Sequence, residues 1–383
     1  MVIYCVGDFM VYLDYSATTP VADEVLESYV ESSKRFLGNP NSLHRLGTEA
    51  NDMVNKASEQ IAELVGFKAN EVIYTSCASE SNNLAIKGVA LKYKSRGNHI
   101  IITPMEHPSI YEATDFLSNN GFKISVAKLD KDGLVDLEAL KKLIDDKTIL
   151  VCVNAVSSEV GIVQPVEEIA AIIKKHPKCF LHIDATQAIG KIDINYDNVD
   201  LISFSSHKFY GLKGIGVLVK KSKIELEPII HGGRSTTKYR SGTPPLPLIV
   251  SMAKALRLAV TNVDKKYKMV EMNNIYLKSR LSKYEDVLIN SNDKSVPHIL
   301  NISVANIKPE TLLHALEEQY IFVSTQTACS SSKESKEIMA MYNDKARALS
   351  TIRISISYLT TNEEVEKFLM AFDMVYKKLV NLK

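Results

Sequence analysis

At 383 residues the chain exceeds one ordinary domain of about 100–200 residues, so two domains are expected. Hydrophobic residues at 45%, charged residues at 24% and a net charge of +1 fit a soluble globular protein and exclude a general pull toward nucleic acid or membrane. The five cysteines (Cys5, Cys77, Cys152, Cys179, Cys329) form no CxxC pair, which excludes a disulfide framework or a zinc knuckle and fits a reducing, cytoplasmic setting.

The first ten residues lack a basic region and are too short for a signal peptide. No later run approaches about 20 apolar residues, so no membrane span is expected. From about residue 70 to 220, short β-branched runs alternate with helical periodicity. EVIYTS (71–76) predicts a strand, and a helix follows from Glu80 to Gly97. Strands are expected at 98–104, 123–129 and 148–155, with a helix near 109–119. An amphipathic helix over 165–176 and strands at 179–185, 200–206 and 216–220 complete the series. This alternation implies an α/β domain whose mainly parallel sheet carries helices on both faces. After about residue 250 the pattern changes: helical segments at 251–284 and 309–319 flank strands at 298–305, 321–328 and 351–357. That is a smaller α+β domain, giving a large domain over 15–255 and a small one over 1–14 and 256–383.

Open parallel sheets bind ligands at the carboxyl ends of their strands, and polar residues recur there. Ser76-Cys77-Ala78-Ser79 joins a strand to a helix, where free N–H groups and the hydroxyl of Ser79 suit a phosphate; a plain serine cap is the alternative. Asp184 ends an apolar strand, where a buried carboxylate needs a cation or good hydrogen bonds. A protonated pyridine nitrogen would serve, and so would a role as helix cap. Ser205, Ser206, His207 and Lys208 follow another strand; a lysine in such a pocket can form a Schiff base, although most lysines are merely solvated. His107, again past a strand, can stack on an aromatic cofactor or lie on the surface. Together these describe a pyridoxal-phosphate (PLP) site. Cys329 opens CSSSKESKE, a polar stretch suited to an accessible thiol, and Arg353 in TIRISIS, if inward, can hold a carboxylate with both arms of its fork.

With these residues the sequence resembles the cysteine desulfurases of the NifS/IscS type, in the class V aminotransferase group of fold type I PLP enzymes. The resemblance runs from YLDYSATTPV (12–21) to the chain end through CASESNNLAIKG, MEHPS, EVGIVQP, HIDATQAIGKI, SFSSHKFYGLKGIGVL, RSGTPP and TACSSS. It implies a seven-stranded-type sheet, with Lys208 as the Schiff-base lysine, His107 against the ring, Asp184 on the pyridine nitrogen and Gln187 on the ring hydroxyl. Ala78, Ser79, Ser205 and His207 would bind the phosphate, joined by Thr243 from the partner subunit of a homodimer. Arg353 would hold the carboxylate of L-cysteine, and Cys329 would accept its sulfur as a persulfide. An acceptor protein, such as an iron–sulfur scaffold or a tRNA-thiolation protein, would receive the sulfur next. A selenocysteine lyase or another PLP lyase or transaminase on this scaffold is the neighbouring reading. A sulfur-relay or regulatory protein without catalysis is the reading from another class.

The sequence departs from the family pattern at four points that bear on cofactor affinity, substrate preference and partner choice; one is HGGRSTTKYRSGT (231–243), which lacks the third glycine and the Glu-Arg-Gly of many relatives. Ser157-Ser158-Glu159 stands where relatives usually carry Asn-Asn-Glu, Cys77 replaces a glycine, and Ser79 replaces a threonine.

Overall fold

The computed structural model describes residues 10–233, 235–325 and 334–381. Strand β1 (Val11–Tyr12) leads into helices α1 (Asp23–Arg35) and α2 (Arg45–Leu64). The alternating series then runs β2 (Val72–Thr75), α3 (Ala78–Tyr93), β3 (His99–Ile102), α4 (Pro108–Ser118) and β4 (Lys123–Val126). It continues through α5 (Leu137–Leu143), β5 (Thr148–Asn154), α6 (Val166–Ile173), β6 (Phe180–Asp184), β7 (Leu201–Ser205) and β8 (Gly216–Lys220). Seven of these strands form one sheet in the order β2-β8-β7-β6-β5-β3-β4, parallel except where β8 runs against β2 and β7. β5 is buried along its whole length, and its pleat sends Val151 and Val153 to one face and Leu150 and Cys152 to the other. The first face packs under α2, α6 and the later helix α7 (Leu246–Val260); the second packs on α3 and α4. Both faces are covered, as a parallel sheet requires.

Beyond α7 come α8 (Val263–Leu281), β9 (Val287–Ile289), β10 (Ile299–Val304), α9 (Pro309–Glu317) and β11 (Ile321–Phe322). The chain closes with α10 (Lys336–Tyr342), α11 (Lys345–Ala348), β12 (Thr351–Ser355) and α12 (Asn362–Asn381). An antiparallel sheet, β12-β10-β9, packs a separate apolar core against α8, α9 and α12, with Leu300, Ile352, Phe368 and Phe372 at its centre. β1 joins this part by pairing in parallel with β11.

Three sequence expectations change. The single helix expected over 251–284 is two helices bent by 66°, because Asn262 adopts a left-handed conformation (φ 57°). Asparagine tolerates that region better than most residues. Lys266 Nζ then satisfies the carbonyls that α7 leaves open, at 2.6 Å from Leu258 and 3.2 Å from Ala259. Of the strand expected over 321–328, Ile321 and Phe322 pair with β1 and Ser324 makes an isolated bridge to Arg353, while residues 326–328 lie outside the described residues. The helix expected from Glu80 starts two residues earlier, at Ala78. Among the described residues no single helix is long and apolar enough to cross a membrane.

Candidate active site

The carboxyl ends of β2, β3, β5, β6 and β7 share one edge of the large sheet, since β2 and β7 both run against β8. A cavity of about 190 Å³ opens there. It is lined by the turn after β2 (Cys77, Ala78, Ser79), His107 before α4, Asn154 at the end of β5, and Asp184, Thr186 and Gln187 around the end of β6. Ser205, His207 and Lys208 follow β7, and Arg353 reaches in from β12. Ser16, Ala17, Val156 and Ser158 complete the wall.

Each side chain is placed by its own element. α3 begins at Ala78 after an extended Cys77 (φ −172°), and no side chain caps it. The serine-cap alternative therefore fails for Ser79, which lies inside the first turn. The backbone N–H groups of that turn point toward the cavity end of the helix, where its dipole favours an anion. Cys77 in place of the family's glycine brings no strain, because extended backbone suits any residue. The glycine that matters is Gly216, at the start of β8: a Cβ there would lie 2.6 Å from the Cys77 carbonyl carbon.

His107 caps α4, accepting from the Ser109 N–H at Nδ1 (3.1 Å). That leaves the neutral ring with its proton on Nε2. Burial holds its pKa below the usual histidine value, with Lys208 adding to the effect and Asp184 opposing it. Asp184 is buried; its Oδ2 accepts from Asn82 Nδ2 at 2.8 Å and its Oδ1 from the Thr186 N–H at 3.0 Å. Gln187 donates to the Ser16 carbonyl (2.9 Å), and its Oε1 accepts from Lys191 Nζ at 2.5 Å. Burial, reinforced by Lys208 and Arg353, pushes the Lys191 ammonium down to about 7.

Lys208 Nζ donates to the carbonyls of Ser16 (2.6 Å) and Ala17 (2.8 Å), both on the cavity wall. His207 meets Thr18 Oγ1 at 3.2 Å, and burial pushes it down to about 4. Arg353 is inward and only 2% exposed, with Nη1 on the Ser158 carbonyl and Nη2 on Asp14, both at 2.8 Å.

Sequence reasoning thus finds Ala78, Ser79, His107, Asp184, Gln187, Ser205, His207, Lys208 and Arg353 in one cavity. Thr243 is exposed and does not line it. Cys329 lies outside the described residues. Asn154 was missed, although it ends the apolar strand run as Asp184 does. Asp14, Ser16 and Ala17 were missed because their contacts span 171 to 339 residues, which no local pattern records.

The residues fit PLP on two structural grounds. Ser205 Oγ is buried without a protein partner, as an oxygen waiting for a phosphate would be. The turn at Cys77–Ser79 is a cradle that a side chain at Gly216 would fill. Among the described residues no cluster of three or more His, Cys, Asp or Glu could hold a metal.

The aminotransferase class-V family model matches residues 11–368. A NifS/IscS-type homologue of Lactobacillus delbrueckii subsp. bulgaricus is 39% identical over 96% of this chain and 97% of its own length. The cysteine desulfurase IscS of Dictyoglomus turgidum is 36% identical over 96% of this chain and 95% of its own. A solved NifS-like protein superposes with a TM-score of 0.91 at 38% identity, covering 96% of this chain and 99% of that one.

Proposed function

Since the chain belongs to the class-V aminotransferase family and is a PLP-dependent cysteine desulfurase, we propose that it works through Lys208, His107, Asp184, Arg353 and Cys329. The observation that carries these roles is the convergence of the first four on one cavity beside the unpartnered Ser205 hydroxyl. Lys208 holds PLP covalently, Asp184 holds its ring nitrogen, Gln187 its ring hydroxyl, and Ala78, Ser79, Ser205 and His207 its phosphate. When bound, PLP supplies an electron sink that acidifies the substrate α-proton and loosens the Cβ–S bond.

The protein's own groups do the rest. Arg353 binds the α-carboxylate; its Nε has no protein partner and its two arms are already oriented by Ser158 and Asp14. Lys208 Nζ moves the α-proton. His107, neutral because buried and carrying its proton on Nε2, donates a hydrogen bond from that nitrogen to the substrate sulfur, which reacts as the thiolate. Cys329 attacks as thiolate: the S–S bond forms as Cβ–S breaks, the electron pair enters the substrate carbon skeleton, and protonation there releases alanine. The enzyme keeps the sulfur as a Cys329 persulfide and hands it to an acceptor, such as an iron–sulfur scaffold or tRNA-thiolation protein. The working form is a cytoplasmic homodimer in which Thr243 completes the partner's phosphate site. The large unit spans 15–255 and the small unit 1–14 and 256–383, with no direct contact to nucleic acid or membrane.

The test is a visible spectrum of the purified protein before and after L-cysteine, with alanine and sulfide assayed together under reductant. A cofactor band that shifts, with the two products in equal amounts, supports the reading. In C329S the band and its shift persist while sulfur release stops. A band that ignores cysteine points to another substrate, and no band after PLP is supplied overturns the site.

A further inference from the structure

The departure at Ser157 has a structural partner. Ser157 is fully buried just beyond β5, and its hydroxyl donates to Oε2 of Glu337, the second residue of α10. The same oxygen accepts from the Val160 N–H at 3.3 Å. Glu337 is itself buried, and it lies eight positions after Cys329 in the chain. Between these two hydrogen-bonding residues is Ser158, whose carbonyl holds Arg353, and Glu159, which Ser335 hydrogen-bonds. On the other side of the undescribed residues, Ser324 exchanges backbone hydrogen bonds with Arg353 at 2.7 and 3.1 Å. Both ends of the chain section containing Cys329 are therefore tied to the residue that receives the substrate carboxylate.

We propose that Glu337 is a positioning residue for sulfur transfer, fixing the chain just after Cys329 to the Ser157–Val160 turn and, through Ser158, to Arg353. This rests on the assignment of Cys329 as sulfur acceptor. The clamp works as a neutral acid. The groups facing Glu337 are Glu159 in the same turn, Arg353 on β12 and Tyr111 on α4. Arg353, the cation among them, is already matched by Asp14 at 2.8 Å. Burial and the neighbouring Glu159 accordingly hold the Glu337 carboxyl well above the usual range, and burial raises Glu159 as well. Ionising both places two like charges side by side without a counterion, so the clamp weakens as pH rises. A glutamine keeps the oxygen that Ser157 and Val160 contact and cannot ionise.

The experiment uses PLP-loaded wild type, E337Q, E337A and S157A, mixed with saturating cysteine in a single turnover from pH 6.5 to 9. Persulfide on Cys329 is read by mass, and cysteine binding by the cofactor band. Wild type should lose persulfide rate at the alkaline end, E337Q should hold its neutral rate without that loss, and E337A and S157A should be slowed about tenfold at pH 7. Half-saturation for the band shift should change less than twofold. Hydrogen exchange of the 335–342 peptide, measured without cofactor, should quicken in E337A and stay slow in E337Q. Wild-type rates in E337A, or an alkaline limb retained in E337Q, overturn the proposal, as does a band half-saturation that moves in step with the rate. Failure of the underlying reading looks different: wild type itself would form no persulfide on Cys329.

Discussion

Glu106 precedes the cavity histidine and is buried away from water. Its Oε1 accepts from Thr103 Oγ1 at 2.7 Å and from the Asn154 N–H at 2.9 Å, while Oε2 has no partner. Burial, with Asp184 nearby, pushes this carboxyl up to about 8. The folded state thus binds a proton that the unfolded state releases near the ordinary glutamate value of about 4.3. The stability this gives is full below that value and is lost as pH rises through about 8. Glu106→Gln keeps the accepting oxygen and cannot ionise. The melting temperature of E106Q relative to wild type should therefore climb between pH 6 and 9, by roughly 2 °C or more. A constant difference across that range would show that Glu106 is ionised in the fold. Such a residue is hard to read from sequence: MEHPS announces the histidine beside it, while an acid in a loop is usually solvated. Asp184 was legible because it ends an apolar strand, where solvation is ruled out by the neighbours.

At the scale of elements, the proposed phosphate cradle is a product of strand order. β8 lies between β2 and β7, so its first residue, Gly216, packs against the turn that starts α3. A methyl group there meets Cys77 at 2.6 and 2.8 Å and the Ala78 nitrogen at 3.0 Å, all backbone atoms that cannot swing aside. Gly216→Ala should leave the sheet intact yet weaken PLP binding by about tenfold or more, since small misplacements of fixed donors are costly. Fluorescence titration of the cofactor-free variant measures this; unchanged affinity with an unchanged fold would remove the cradle from the phosphate site. The strands of the large sheet were legible because burial on both faces writes them as unbroken apolar runs. Helix α2 was not read, since the face it buries is largely small (Ala50, Ala57, Ser58, Ala62) and carries little hydrophobic signal. The break at Asn262 hid within a helical pattern because a single left-handed residue leaves the periodicity on either side untouched.

For the whole molecule, the unresolved role is that of Thr243. It is exposed, and the cavity of its own subunit is walled without it. In the proposed homodimer a threonine so placed reaches a phosphate across the two-fold interface, each subunit lending the same residue to the other. That arrangement has a consequence a monomer cannot imitate. Thr243→Ala and Lys208→Ala should each lower desulfurase activity, the second to background. Co-expressed with different tags and purified as the mixed dimer, the two variants should recover about half the wild-type activity, because one of the two sites then has an intact Lys208 and a partner's intact Thr243. If Thr243 served its own subunit, the mixed dimer would keep only a lysine-less site and a threonine-less site and would show no recovery above T243A. If the chain worked as a monomer, no doubly tagged species would be recovered at all. The measurement therefore reads the architecture of the site from the arithmetic of its halves.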